Sequence, residues 1–205
     1  SAEPKNAARS KNGVRTVAYL TDMSQPIGWA VGNALEIEES IEVLKGCGPA
    51  DTTALVETLG GAMLAIGGVA ADAKAGAARI RDAIASGAGL DVFRRMVAFH
   101  GGDPAVADDP SRLPRARNEK VFAADRAGYI ASFDCEKVGL AALVIGGGRR
   151  RKEDGIDPGV GLVIRARRGA AVKPGDPLVT IRYNGAENLA EAEALLRQAI
   201  GYSDT

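Results

Sequence analysis

The sequence predicts a mixed α/β chain built in two regions. Three observations carry this. From about residue 30 to residue 100, apolar residues recur at helical spacing between glycine and aspartate boundaries. From Lys120 onward the pattern changes to short β-rich runs separated by turn residues. Between the two lies a stretch, Asp103 to Asn118, that holds Pro104, Pro110 and Pro114 and suits a connection. The expected division is therefore 1–105 and 106–205.

Residues 14–21, Val-Arg-Thr-Val-Ala-Tyr-Leu-Thr, mix β-branched, aromatic and aliphatic side chains and read as a well-buried strand. A polar turn with Pro26 and Gly28 follows. The next helix is expected to open at Asn33, its side chain capping free N–H groups while Glu36 reaches back in a capping box. Ile37, Ile41 and Leu44 would share its buried face, and Gly46 would end it.

A second helix is expected to be capped by Asp51, with Leu55, Leu59, Met63 and Ile66 inward. A third spans about Asp72 to Ser86 with Ile80 and Ile84 inward. A shorter fourth carries Leu90, Phe93 and Val97 up to the Gly101-Gly102 break. Strands follow at Lys120–Ala123, Gly128–Phe133, Val160–Arg165 and Leu178–Arg182. Helical stretches are expected over Glu136 to Ile145 and Leu189 to Ile200, the latter packing through Leu195, Leu196 and Ala199.

Composition narrows the function classes. The 205 residues carry 26 basic and 26 acidic side chains, so no charge excess draws the chain to nucleic acid or an anionic membrane. No run approaches the roughly 20 apolar residues that span a bilayer, and Ser1 to Lys11 is polar rather than a signal peptide, which makes the cytoplasm the default location. Cys47 and Cys135 share no metal-ligand spacing and read as reduced thiols. The single histidine, His100, stands at a helix end before Gly101 and reads as a capping or surface residue, not the base of a catalytic triad.

Three motifs could carry chemistry. Glu36, Glu38, Glu39 and Glu42 crowd the helix after the Pro26–Gly28 turn. Carboxylates near a helix start are stabilised by the macrodipole, by about 0.3–1 kcal/mol each. The turn could also aim carbonyl oxygens at one of these carboxylates, and mixed oxygens with a single negative charge suit a monovalent cation, although the residues alone do not say which glutamate would bind. Residues 146–154, "GGGRRRKED", have glycines and basic side chains but lack the Walker spacing and follow an apolar helix, so a helix stop with a solvated basic loop is the better reading. "RRGAAVKPGDPLVTI", residues 167–181, is a turn between apolar runs that resembles the hairpins of biotinyl and lipoyl carriers. The nearest carrier lysine would be Lys137, which instead leads into a helical stretch.

Several separated motifs, in order, resemble one family. "VRTVAYLTDMSQPIGWAVGNALEIEESIEVLKGCGPAD", "VFRRMVAFHGGDP", "GYIASFDCEKVGLAALVIGGGRRRKEDGIDPGVGL" and "VKPGDPLVTI" are similar to stretches of the pyrimidine-nucleoside and thymidine phosphorylases. The resemblance implies the later part of a mixed-sheet α/β lobe followed by a C-terminal α+β antiparallel region. It implies reversible phosphorolysis of a pyrimidine nucleoside, with phosphate as co-substrate, in a homodimer. The family's glycine-rich phosphate cradle and pyrimidine-binding residues lie upstream of the first motif and have no counterpart here, so no catalytic or substrate-binding residue is assigned and the chain is expected to be inactive alone. The stretch before Val14 is shorter than the family's helix, as in a truncated or joined sequence. The family's potassium site does reach this chain: the resemblance assigns main-chain carbonyl ligands to Ile27 and Ala30 and a carboxylate ligand to Glu39. The rival expectations are a binding or carrier module without catalysis and a subunit that docks on a separate N-terminal half.

Overall fold

The structure, a computed structural model, describes residues 4–9 and 15–204, with side chains from residue 16 onward. The chain divides into two compact units. One comprises Ser1–Asp22 with Ile41–Ala107, the other Met23–Ser40 with Asp108–Thr205.

The first unit starts with an antiparallel pair, β1 (Pro4–Arg9) and β2 (Arg15–Tyr19), in register at Lys5↔Ala18 and Ala8↔Thr16. Val14 of the predicted strand lies outside the described residues. The strand is not well buried as expected: Thr16, Ala18 and Leu20 are exposed and Val17 and Tyr19 only half-buried. β1 is its sole pairing partner among the described residues, and a two-stranded ribbon has little to bury against.

Three helices complete this unit: α2 (Ala50–Ile66), α3 (Ala73–Ala85) and α4 (Ala88–Phe99). Asp72 caps α3 by accepting the Ala75 N–H at 2.7 Å. Asp51 does not cap α2: Pro49 occupies that position, and Asp51 lies in the first turn, where its charge still complements the dipole. The inward face of α2 also differs from expectation. Met63 is 72% exposed, Leu59 38% and Ile66 37%, whereas Gly61 and Ala62 are buried. The cause is a backbone contact with α3. A Cβ on Gly61 would lie 2.5 Å from the Ala73 carbonyl oxygen, and one on Gly76 would lie 2.3 Å from the Gly61 carbonyl oxygen. Periodicity of large residues could not reveal a helix pair that meets through glycine. On α4, Leu90 is buried and Phe93 and Val97 half-buried, as predicted.

The second unit is built on two antiparallel sheets. One has the order β3 (Ala30–Val31), β6 (Gly161–Ile164), β8 (Pro177–Tyr183), β4 (Asn118–Ala123); the other has the order β7 (Ala171–Val172), β5 (Gly128–Phe133), β9 (Ile200–Ser203). The central pairing sets Leu162 opposite Ile181 and Val121 opposite Thr180. Helices α5 (Cys135–Ala142) and α6 (Leu189–Ala199) add Val138, Ala141, Ala192 and Leu196 to one connected core with Ile130, Leu162, Leu178, Val179 and Ile181. Burying such aliphatic side chains contributes about 1.5–3 kcal/mol each. The one buried polar side chain of this set, Thr180, accepts a hydrogen bond from Arg165 Nε at 2.9 Å and so is not left unsatisfied.

The Lys173–Asp176 turn, with Gly175 at φ +92°, does not close a simple hairpin. It carries the chain from β7 in one sheet to β8 in the other. The strands β3, β7 and β9 escaped sequence reading because two of them are two residues long and the third continues directly from α6.

Helix α1 (Asn33–Leu44) has its first part in the sheet unit and its last part in the helical unit. Its buried residues are Ala34, Leu35, Ile41 and Val43, while Ile37 is 40% exposed, contrary to the predicted Ile37–Ile41–Leu44 face. Leu35 is drawn in because Gly161 has no side chain: a Cβ there would lie 2.8 Å from Leu35 Cδ1. Gly46, at φ +79°, ends the helix as predicted.

Candidate functional site

The crowded glutamates of α1 separate into four different environments. Glu36 reaches back, but to Gly32, whose N–H donates to Glu36 Oε1 at 3.0 Å. Asn33 is the first helical residue and not the cap; its side-chain amide donates to the Gly147 carbonyl at 3.4 Å. Glu38 pairs with Arg115 at 3.2 Å. Glu42 accepts a hydrogen bond from Cys47 Sγ at 2.8 Å and lies 3.7 Å from Lys45 Nζ. The hydrogen bond to Glu42 holds the Cys47 thiol above its usual range, so this thiol is not activated.

Glu39 alone turns toward the Pro26–Gly28 turn. Its Oε2 accepts the N–H groups of Trp29 at 2.7 Å and Ala30 at 3.1 Å. Its Oε1 lies against Gly28, which has φ +65°, and a Cβ at that glycine would fall 1.7 Å from the oxygen. Glycine is therefore required twice at this position, by the backbone angle and by the carboxylate.

The sheet orients the peptide groups. Ile164 N–H donates to the Trp29 carbonyl at 2.7 Å, and Ala30 stands opposite Val163 in the register. Alternation along an antiparallel ladder then sends both the N–H and the C=O of Ala30 away from β6, off the sheet edge on the side where Glu39 accepts the N–H. The Gly28 carbonyl is taken by Arg167, whose guanidinium donates to it and covers the Trp29 ring at 4.3 Å. The Trp29 and Gly28 carbonyls are thus both engaged, and Ile27, 47% exposed, immediately precedes this turn's glycine.

Glu39 and the Trp29 and Ala30 peptide N–H groups thus meet beside Gly28. The oxygen Oε1 stays outside the N–H pair and itself takes up the volume that a side chain at residue 28 would need. A single carboxylate with neighbouring main-chain oxygens is a donor set of the kind a monovalent cation accepts. Among the described residues no group of three or more His, Cys, Asp and Glu side chains is placed to hold a metal, so a transition-metal centre is not what this turn offers.

Sequence reasoning missed the clamp on this turn. Besides Arg167, Arg168 donates through Nη1 to Ser24 Oγ at 2.9 Å and through its backbone N–H to Gln25 Oε1 at 3.2 Å, and Cys135 Sγ donates to the Met23 carbonyl at 3.3 Å. The adjacent arginines in "RARRG" were visible, but their targets lie more than 100 residues earlier.

The other predicted motifs keep their structural readings. In the basic loop, Asp154 Oδ2 accepts the N–H groups of Arg150 and Arg151, which occupies donors that a phosphate would need, and the Arg150 side chain pairs with Glu191 at 2.6 Å. Lys137 lies in the first turn of α5 and pairs with Asp134 at 2.5 Å, not at a hairpin tip. That hydrogen bond and the Lys137 N–H hold the Asp134 carboxyl below its usual range. His100 is the exposed C-cap of α4, edge-on to Phe99. Both cysteines are free thiols. No helix among the described residues is long and apolar enough to cross a membrane.

Comparison with known proteins agrees with this architecture of a glycosyl-transfer α/β region followed by an antiparallel C-terminal region with helices. The family model for the glycosyl transferase family a/b domain matches residues 2–90, and that for the pyrimidine nucleoside phosphorylase C-terminal domain matches residues 129–203. The chain is 40% identical over 182 residues to the pyrimidine-nucleoside phosphorylase of Bacillus subtilis (strain 168), covering 89% of this chain and 42% of that protein. It is 41% identical over 172 residues to the enzyme of the same name from Staphylococcus aureus (strain USA300), covering 84% of this chain and 40% of that protein. The chain belongs to the pyrimidine-nucleoside phosphorylase family and corresponds to its C-terminal part. It spans about two fifths of the length of the curated relatives it matches.

Proposed function

We propose that this chain is the C-terminal part of a pyrimidine-nucleoside phosphorylase that works in the intact enzyme as one wall of a potassium site and does not catalyse phosphorolysis by itself. In that reaction a phosphate oxygen bonds to C1′ of the nucleoside, the C1′–N bond breaks, and the pyrimidine leaves with the bonding pair and takes up a proton. The products are the free base and a (deoxy)ribose 1-phosphate. The observation that carries the family part of this reading is the ordered match of two successive family segments to one chain.

The cation part rests on the Glu39 geometry. A bound potassium would supply positive charge between the carboxylate and the carbonyl dipoles of Ile27 and Ala30. The chain's own residues do the rest: the Trp29 and Ala30 N–H groups orient the carboxylate, Gly28 leaves it room, and Arg167 and Arg168 hold the turn in place. The family's phosphate and pyrimidine contacts belong to a segment without counterpart here, and a phosphorolysis barrier falls chiefly through such positioned donors. In the intact enzyme the same reading implies a cytoplasmic homodimer.

The test is direct. This chain incubated with thymidine or uridine and phosphate should release no base above background; clear release would refute its inactivity. In an intact enzyme carrying this segment, Glu39→Gln should weaken the dependence of rate on potassium, and an unchanged potassium response would remove Glu39 from the site.

A further inference from the structure

A concavity lies wholly within the sheet unit and shares no residue with the Glu39 turn. It encloses about 220 Å³ and is lined chiefly by Phe122, Asp125, Arg126, Arg197, Ile200 and Tyr202. Phe122 and Ile200 are buried and form an apolar floor. Arg126 places its guanidinium 4.9 Å from the centre of the Tyr202 ring, and Arg197 lies 5.8 Å from the centre of the Phe122 ring.

Both distances are within the range at which an aromatic face attracts a cation. Each guanidinium is thus oriented by a ring rather than by a carboxylate, and neither enters an ion pair or side-chain hydrogen bond among the described residues. A guanidinium drawn to a ring face, with no carboxylate partner, still has N–H groups to offer an anion, and its fork matches the oxygens of phosphate. Two such forks on one small concavity are more than the packing of Tyr202 and Phe122 requires. The remaining polar groups suit a hydroxylated body: Asp125 accepts, and the Tyr202 hydroxyl, kept protonated by burial and by the Asp125 charge, donates. The volume is below the roughly 300–1,000 Å³ usual for drug-sized ligands, which restricts the occupant to a small molecule.

We propose that this pocket binds a small phosphate monoester with a hydroxylated body, such as a pentose phosphate, with Arg126 and Arg197 holding the phosphate and Asp125 accepting from a hydroxyl. The site does not depend on the phosphorylase reading, although the sugar phosphate of that reaction falls in the same chemical class.

The experiment is a titration of this chain with ribose 5-phosphate at constant ionic strength, followed by amide NMR shifts. Saturable shifts should appear at Asp125, Arg126 and Tyr202, with none for ribose alone. R126Q and R197Q should each weaken binding about tenfold, as expected for loss of a charge-assisted fork, whereas Glu39→Gln should leave it unchanged. Both arginine heads are exposed, so these variants spare the core, and preserved chemical-shift dispersion checks that. No saturation in the parent chain, or affinity unchanged from the parent in both arginine variants, would overturn the site. Inorganic phosphate binding as tightly as ribose 5-phosphate would overturn the role given to the hydroxylated body.

Discussion

In the sheet unit the largest side chains are the best hidden: Ile130, Leu162, Leu178, Ile181 and Leu196 are each no more than 1% exposed. In the helical unit some of the largest are the least hidden, with Phe99 at 87% and Met63 at 72% exposed, while the tightest contact is between the backbones of Gly61 and Gly76. One unit is held by interdigitating side chains and the other, at its closest point, by the absence of side chains. Their sensitivities to mutation should therefore be opposite. Removing carbon harms the first, and adding carbon harms the second.

The largest effect is expected from Leu196→Ala. It should cost about 3 kcal/mol by leaving a cavity between α6 and the sheets, measured by urea unfolding. Gly76→Ala should come next, at about 2 kcal/mol, because the added methyl meets the Gly61 backbone, which cannot rotate away. Gly60→Ala is the control. There the nearest atoms belong to the Ile80 side chain, which can shift, and the gain in helix propensity of about 1 kcal/mol offsets the crowding, so a net change within about 1 kcal/mol is expected. If Gly76→Ala proves no worse than Gly60→Ala, backbone contact does not govern the helical unit.

Smaller again is the effect of placing charge at exposed apolar positions of the helical unit. Met63→Lys combined with Phe99→Lys should change stability by no more than about 0.5 kcal/mol yet reduce self-association in size-exclusion chromatography. A monomeric parent chain would break that part of the comparison. The smallest effect concerns pH. Lys137 holds the Asp134 carboxyl below its usual range, so this aspartate adds stability above the unfolded value and loses it as pH falls through the lower folded one. Asp134→Asn should flatten the acid limb of the melting curve below about pH 4. An unchanged acid limb would show that the pair is not formed in solution.

The same contrast explains which elements were legible in advance. β5 was readable to its ends because Gly128 and Asp134 bracket an alternating run, and α3 because Asp72 caps it. α2 was readable as a helix but not in its orientation, since large apolar residues at helical spacing mark a buried face only when the neighbouring element leaves room for them. At the Glu39 turn, Pro26, Gly28 and the glutamates were visible as local chemistry. Trp29 and Arg167 were not, because their contact joins residues 138 or more positions apart with no pattern linking them.

By itself the sequence determined the kind of each long element, the proline-rich connection and, through its ordered motifs, the family. Those properties depend on residue spacing within one stretch of chain. Only the tertiary structure decided that Glu39, of four glutamates, faces Gly28, that α2 and α3 meet through glycine, and that Arg126 and Arg197 share a pocket. Each of these depends on which surfaces distant segments present to one another, and packing of that kind is fixed by shape and available volume, which local periodicity does not encode.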